Sequence, residues 1–253
     1  MIRLMKADFY RLSRTIGVYI TLLVIVGFGV LNTIFEAVAS VGIVVDGGAG
    51  SDLVWNLPHL MQNTVTSTPL LNYCFISIFV ILIGYEFSLK TYKNSLTSGT
   101  SRMTFVLAKY VTELLVLILA TFIFFMAVLM AGIVKYGLAD VNLFSIFSDM
   151  FLFSLVMGLM VSVLFSLATL ILILTQSSVI AAIFIVIYPL ILQIIGLVSK
   201  WENIKYFDLF GFPQMIGLNQ LTLSESLPYL LVGLIIILLS LVGSAFVIKN
   251  KEL

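Results

Sequence analysis

Long apolar runs separated by short polar breaks set the pattern of this chain. Ile16–Phe35, Leu70–Tyr85, Leu114–Val134 and Leu227–Ile248 carry no charge. Each is near the about 20 residues that an α-helix needs to cross a bilayer core. The run from Met150 to Ser199 is too long for one crossing, and its polar break Thr175-Gln176-Ser177-Ser178 divides it into two. The pattern therefore predicts six spans, about 16–36, 68–85, 111–134, 149–174, 179–198 and 228–248. Helices are the expected form, because an unpaired backbone group is costly in lipid. The ~10-residue alternation of a membrane barrel is missing.

Ahead of the first span, Ile2, Met5, Phe9, Leu12 and Ile16 share one narrow face at about 100° per residue. Arg3, Lys6, Arg11 and Arg14 lie elsewhere on that helix. Such a helix is expected to lie in the membrane interface with its cations near anionic headgroups. Simple topological anchoring is the plainer role for it.

Composition agrees. Of 253 residues, 61% are hydrophobic and 10% charged, against about 45–50% and about 25% in soluble domains, which excludes a water-soluble globule. A net charge of +1 gives no basic face for nucleic acid. One Cys and one His exclude a disulfide framework and a four-ligand zinc site. With the amino terminus inside, Arg3, Lys6, Arg11, Arg14, Lys90, Lys93, Arg102, Lys109, Lys249 and Lys251 fall on that side, and only Lys135, Lys200 and Lys205 outside. This bias predicts that both termini are cytoplasmic. Ala37-Val38-Ala39 imitates a signal-cleavage site, but the apolar run before it exceeds the usual 7–15 residues, so a retained first span is expected.

Between spans two and three, Glu86 to Asn94 is expected to continue helically into the cytosol, with Glu86 and Lys90 one turn apart. Gly99 is placed to end that helix in a left-handed conformation, and Ser101 to cap the next one. Residues 86–109 thus form a polar finger that either docks a soluble partner or is an ordinary positive-inside loop. Gly84 to Thr91 nearly spells a phosphate-binding loop, but Leu89 stands where the Gly before the Lys is required and no strand precedes it.

Glu113 is the acid nearest the membrane interior, and Lys109 precedes it by four residues, so a structural Lys109–Glu113 pair is expected, with a proton or ion relay as the alternative. Ser154, Gly158, Ser162 and Ser166 recur every four residues, the spacing that lets helices pack closely. Ser240 and Ser244 repeat this briefly. Outside, a Gly-rich stretch at 41–51 leads to an expected short helix over 52–61. The segment 199–227 holds Trp201, Tyr206, Phe207, Phe210 and Phe212 as interfacial aromatics, and Trp55 is expected to anchor at the same level. His59 and Cys74 lack a catalytic constellation, so both are expected to be structural.

The run Glu86…Lys90-Thr91-Tyr92-Lys93-Asn94…Gly99-Thr100-Ser101-Arg102…Lys109 resembles the coupling-helix segment of type-2 ATP-binding-cassette (ABC) transporter permeases. That family's segment reads Glu, a Gly-Thr-Lys-Asn-like tetrad, a Gly, Ser-Arg and a following Lys; here Tyr92 is inserted and no Gly precedes Thr91. The likeness extends over the interfacial helix, the six spans and the short tail, and lies closest to small bacterial exporters of bacteriocins, lantibiotics and cytolytic peptides of the phenol-soluble-modulin type. It implies a single permease domain over 1–253, all-α, with six transmembrane helices, an N-terminal interfacial amphipathic helix and a cytoplasmic coupling helix. It implies that Glu86, Lys90, Lys93, Asn94, Gly99, Ser101, Arg102 and Lys109 couple to a separate cassette ATPase. Two such subunits would hold the ATP and Mg, none bound by this chain, and a second permease, the same chain as a homodimer, would complete the complex in a bacterial plasma membrane. The path between protomers would run along spans one, two and five. No column of charge selects ions, so the expected cargo is an amphipathic peptide. An ion- or proton-coupled secondary transporter and a membrane immunity protein that binds peptide without transport are the competing readings.

Overall fold

Each apolar run becomes a helix in the computed structural model, which describes residues 1–38, 54–138, 142–199 and 202–250. Among the described residues 86% are helical and none is in a strand. In chain order the helices are α1 (Ile2–Arg14), α2 (Ile16–Phe35), α3 (Leu57–Val65), α4 (Thr68–Phe79), α5 (Tyr85–Ser88), α6 (Tyr92–Thr97), α7 (Arg102–Tyr136), α8 (Leu143–Thr175), α9 (Ser178–Val198), α10 (Gly211–Gly217) and α11 (Leu223–Asn250). A π turn, Val80–Gly84, joins α4 to α5 without a break, so that Thr68–Ser88 is one stretch. That stretch, with α2, α7, α8, α9 and α11, is long and apolar enough to cross a membrane. The chain is all-α and of multi-pass membrane type.

The third and fourth spans are longer than their apolar cores because the ends are set by caps. Ser101 Oγ accepts from the Thr104 N–H at 3.2 Å and starts α7 some turns before the apolar run begins. Asn142 Oδ1 does the same for α8, accepting from Phe144 N–H at 3.1 Å. The break at 175–178 is a tight turn: Gln176 takes a left-handed φ of 54° and Ser177 caps α9.

α8 is the central pillar. Of its most apolar stretch 72% is buried, against 17% for α9 and 28% for α2 and α11, and a helix apolar on all sides belongs in an interior. α7, α9, α10 and α11 pack around it. Ser154, Gly158, Ser162 and Ser166 are all buried. A Cβ on Gly158 would lie 2.5 Å from Ile118 Cγ1 and 3.0 Å from the Ile118 backbone nitrogen, so α7 and α8 cross there at a distance only glycine allows. The three serines donate to carbonyls of their own helix, Met150, Leu159 and Val163 at 2.7 Å each, and bring no unmatched hydroxyl into the contact.

We call the end of the bundle that carries α1 and α6 the basic end. At the other end, the Lys135 ammonium donates to the Thr33 and Ile34 carbonyls (3.1 and 2.8 Å) and pairs with Glu36 at 2.7 Å. A cation on the last carbonyls of α2 is favoured there by the helix dipole. Tyr136 donates to the same Glu36 carboxylate at 2.9 Å, and Asn32 of α2 donates to Ser67 at 2.8 Å. The expected helix over 52–61 is displaced: α3 begins at Leu57, with Asn56 as its cap, and Asp52 lies outside the described residues.

Candidate functional site

At the basic end, four ionic side chains from three helices meet under the bundle. Lys109 of α7 pairs with Asp8 of α1 at 2.6 Å and with Glu86 of α5. Arg11 of α1 reaches Glu86 at 3.4 Å and Asp8 at 3.6 Å, and it donates to the Leu82 carbonyl of the π turn. Asp8, Glu86 and Lys109 are 5%, 6% and 4% exposed. Two carboxylates and two cations make the group neutral, the condition for tolerating buried charge. Burial pushes the Asp8 carboxyl above the ordinary carboxylate range, against the pull of the Lys109 ammonium beside it. Lys109 also lies over the Phe105 ring, 5.4 Å from its centroid.

The pairing corrects two sequence expectations. Lys109 does not pair with Glu113: Glu113 is fully enclosed and neither of its carboxyl oxygens has a hydrogen-bonding partner in the protein. Spacing within one helix puts the two side chains side by side, but the carboxylates of α1 and α5 give Lys109 two anions and a partner in Arg11, which Glu113 lacks. Arg11 is not a headgroup anchor alone either: its side chain is 38% exposed, and its guanidinium also reaches Glu86 and the Leu82 carbonyl. Arg3, Lys6 and Arg14 are exposed on α1, as are Ile2 and Phe9, while Asp8 and Leu12, one turn apart, face the bundle. The apolar stripe read from the sequence is thus split: Leu12 is bolted to the protein, Met5 is half-buried, and Ile2, Phe9 and Ile16 face outward.

The remaining residues of the 86–109 segment gather at α6. The chain does not run helically from Glu86 to Asn94: Lys90 takes a left-handed φ of 58° and breaks it, so that α6 is a separate six-residue helix. α6 is seated by Tyr92, which stacks on Phe87 with centroids 4.6 Å apart, and by Leu96, both buried. Gln176 Nε2, in the α8–α9 turn, lies 3.5 Å from the Tyr92 hydroxyl. Lys90, Asn94 and Gly99 are exposed, Lys93 and Arg102 half-buried, and Gly99 closes the segment with a φ of 89°. Glu86 and Lys109, in contrast, point inward into the ionic group. The eight residues therefore divide into an inner pair and an outer edge.

Trp55 is half-buried and packed against the core, and Trp201 lies outside the described residues. His59 is exposed, its Nδ1 2.7 Å from Asn56 Oδ1, and among the described residues no three His, Cys, Asp or Glu side chains group as a metal site. Sequence reasoning missed Asp8. The available signal was that it is the only acid before Glu36, set inside a basic helix at the level where Glu86 and Lys109 enter the membrane. No protein-family model matches the chain, and no curated protein does.

Proposed function

We propose that this chain is the permease subunit of an ATP-driven exporter of the type-2 ABC kind, working with a separate cassette ATPase in two copies and a second permease protomer. The observation that carries the reading is α6, a short helix held at the basic end by Tyr92 and Leu96 with Asn94, Thr97 and Ser98 on its outer edge. It adjoins α5 on one side and α7 on the other, so that a push on it reaches two spans directly. The ionic group then ties the same two spans to α1. In this reading both termini and α6 are cytoplasmic, α1 lies in the interface, and ATP and Mg belong to the partner subunit.

The cargo we propose is an amphipathic peptide, an antimicrobial or cytolytic one. Supporting this, two apolar grooves flank the π turn on the outer face of the bundle. One, of about 500 Å³, is lined by Val80, Val179, Ile183 and Ile187; the other, of about 380 Å³, by Gly17, Ile20, Ile76 and Tyr85. Neither is lined by a charged side chain; Ser178 in the first, and Thr21, Ser77 and Tyr85 in the second, are the polar groups.

The test is purification of the tagged chain from native membranes in mild detergent, followed by an ATPase assay. A co-purifying cassette ATPase that is lost in K93E and R102E supports the exporter. A homo-oligomer without ATPase removes it and puts an ion-coupled transporter or a peptide-binding immunity protein in its place.

A further inference from the structure

Glu113 is 0% exposed and unpartnered at both oxygens, a costly place for a carboxyl group in a membrane span. It shares one buried stripe of α7 with Val106, Lys109 and Leu117. Few other titratable or charged groups are on the helices around it. On α7 itself Tyr110 is near, its hydroxyl 3.1 Å from Ser162 Oγ. α8 carries only Asp149 and α11 only Glu225 and Lys249 as charges, all three exposed, while α2 carries none; Tyr19 and Tyr229 are the phenols of α2 and α11. One helical turn back along α7, Lys109 carries the ionic group with Asp8, Arg11 and Glu86. An ionised carboxylate enclosed without a donor is strongly disfavoured, so with Lys109 held by Asp8 and Glu86 the neutral carboxyl is the form that fits. Yet the Lys109 ammonium is anchored only one helical turn away, where side chains four apart are neighbours.

We propose that Glu113 is a proton-binding site loaded and emptied by Lys109. With the ionic group closed, the ammonium rests on Asp8 and Glu86 and Glu113 carries a proton. When α1 and α5 separate from α7, the ammonium swings to Glu113, the O–H bond breaks, and the proton leaves to water at the basic end. A Lys109 ammonium–Glu113 carboxylate pair remains, and Asp8 and Glu86 keep Arg11 and become hydrated. Charge balances with one proton released per opening and one taken up per closing. This goes beyond the exporter reading and needs no ATPase.

The experiment uses the purified full-length chain in lipid nanodiscs and the carbodiimide N,N′-dicyclohexylcarbodiimide, which adds a protonated carboxyl across its C=N bond. Adducts are mapped by mass spectrometry at neutral pH, with E113Q identifying the Glu113 adduct. We expect labelling of Glu113 in the wild type, a several-fold loss in D8N/E86Q, where Lys109 is released to it, and recovery when K109M is added. The single variants D8N and E86Q each remove one carboxylate and should give intermediate losses, so the result does not hang on the double variant folding. No adduct at Glu113 in the wild type, or labelling that stays equal when the Lys109 partners are removed, would overturn the proposal.

Discussion

Lys109 and Asp8 are 101 positions apart in sequence, and their charged atoms are 2.6 Å apart in space. The contact makes the amino-terminal helix part of the bundle: α1 is held through its own carboxylate to the third span. Breaking a buried pair by removing one partner costs far more than the pair contributes, about 3–5 kcal/mol. K109M should therefore lower the thermal unfolding midpoint in detergent clearly, whereas K6M, on the exposed side of α1, should leave it in place. Equal midpoints for the two would mean that the ionic group is dispensable.

The α7–α8 crossing gives a second test. G158A places a methyl 2.5 Å from Ile118 Cγ1 and 3.0 Å from its backbone nitrogen, and overpacking of this kind costs about 1–3 kcal/mol. G27A meets nothing within 4 Å and should be neutral or stabilising by up to about 1 kcal/mol from helix propensity. Denaturant or thermal unfolding of the two variants side by side reads the difference.

Seating of α6 can be separated from its outer edge. Y92A removes the ring stacked on Phe87 and, on the proposed exporter reading, should reduce co-purification of the proposed cassette ATPase several-fold, with the elution profile of the chain unchanged. N94A, which touches only the outer edge, should bind less but leave α6 in place, as judged by protease cleavage within 90–99. Full ATPase recovery with Y92A would argue against α6 as the docking element.

The clasp between Glu36 and Lys135 has a defined pH behaviour. The hydrogen bonds from Lys135 and Tyr136 hold the Glu36 carboxyl below its ordinary value of 4.5. A carboxyl lowered on folding contributes above its unfolded value and loses that contribution as pH falls through the folded one. Amide exchange at Ile34–Ala37, compared between wild type and E36Q, should differ at pH 7 and converge only below pH 4.5. Convergence already near pH 6 would contradict the lowered carboxyl.

The six spans were legible because burial in hydrocarbon demands unbroken apolar runs, and even the split at Gln176 followed from polar residues too few to be a loop. The helix start at Ser101 was legible too, since capping is local chemistry. The partner of Lys109 was not. Local spacing pointed to Glu113, but the choice was made by α1 and α5, whose approach depends on the whole bundle. The break at Lys90 was hidden for a related reason: nothing in Lys-Thr-Tyr marks a left-handed residue, and the turn is fixed by Phe87 and Tyr92 stacking across it.

The π turn at Val80–Gly84 sets the phase of everything after it. Successive residues of a regular helix are rotated by about 100°, so one residue more or less in that turn decides which way Glu86 points. Wound as ordinary α-helix with the same residues, the span would keep its apolar length, yet it would swing Glu86 off Lys109. The wide turn works as an indexing step: it dials one carboxylate into line with a lysine on another helix, and the apolar run that encodes it gives no sign of the setting.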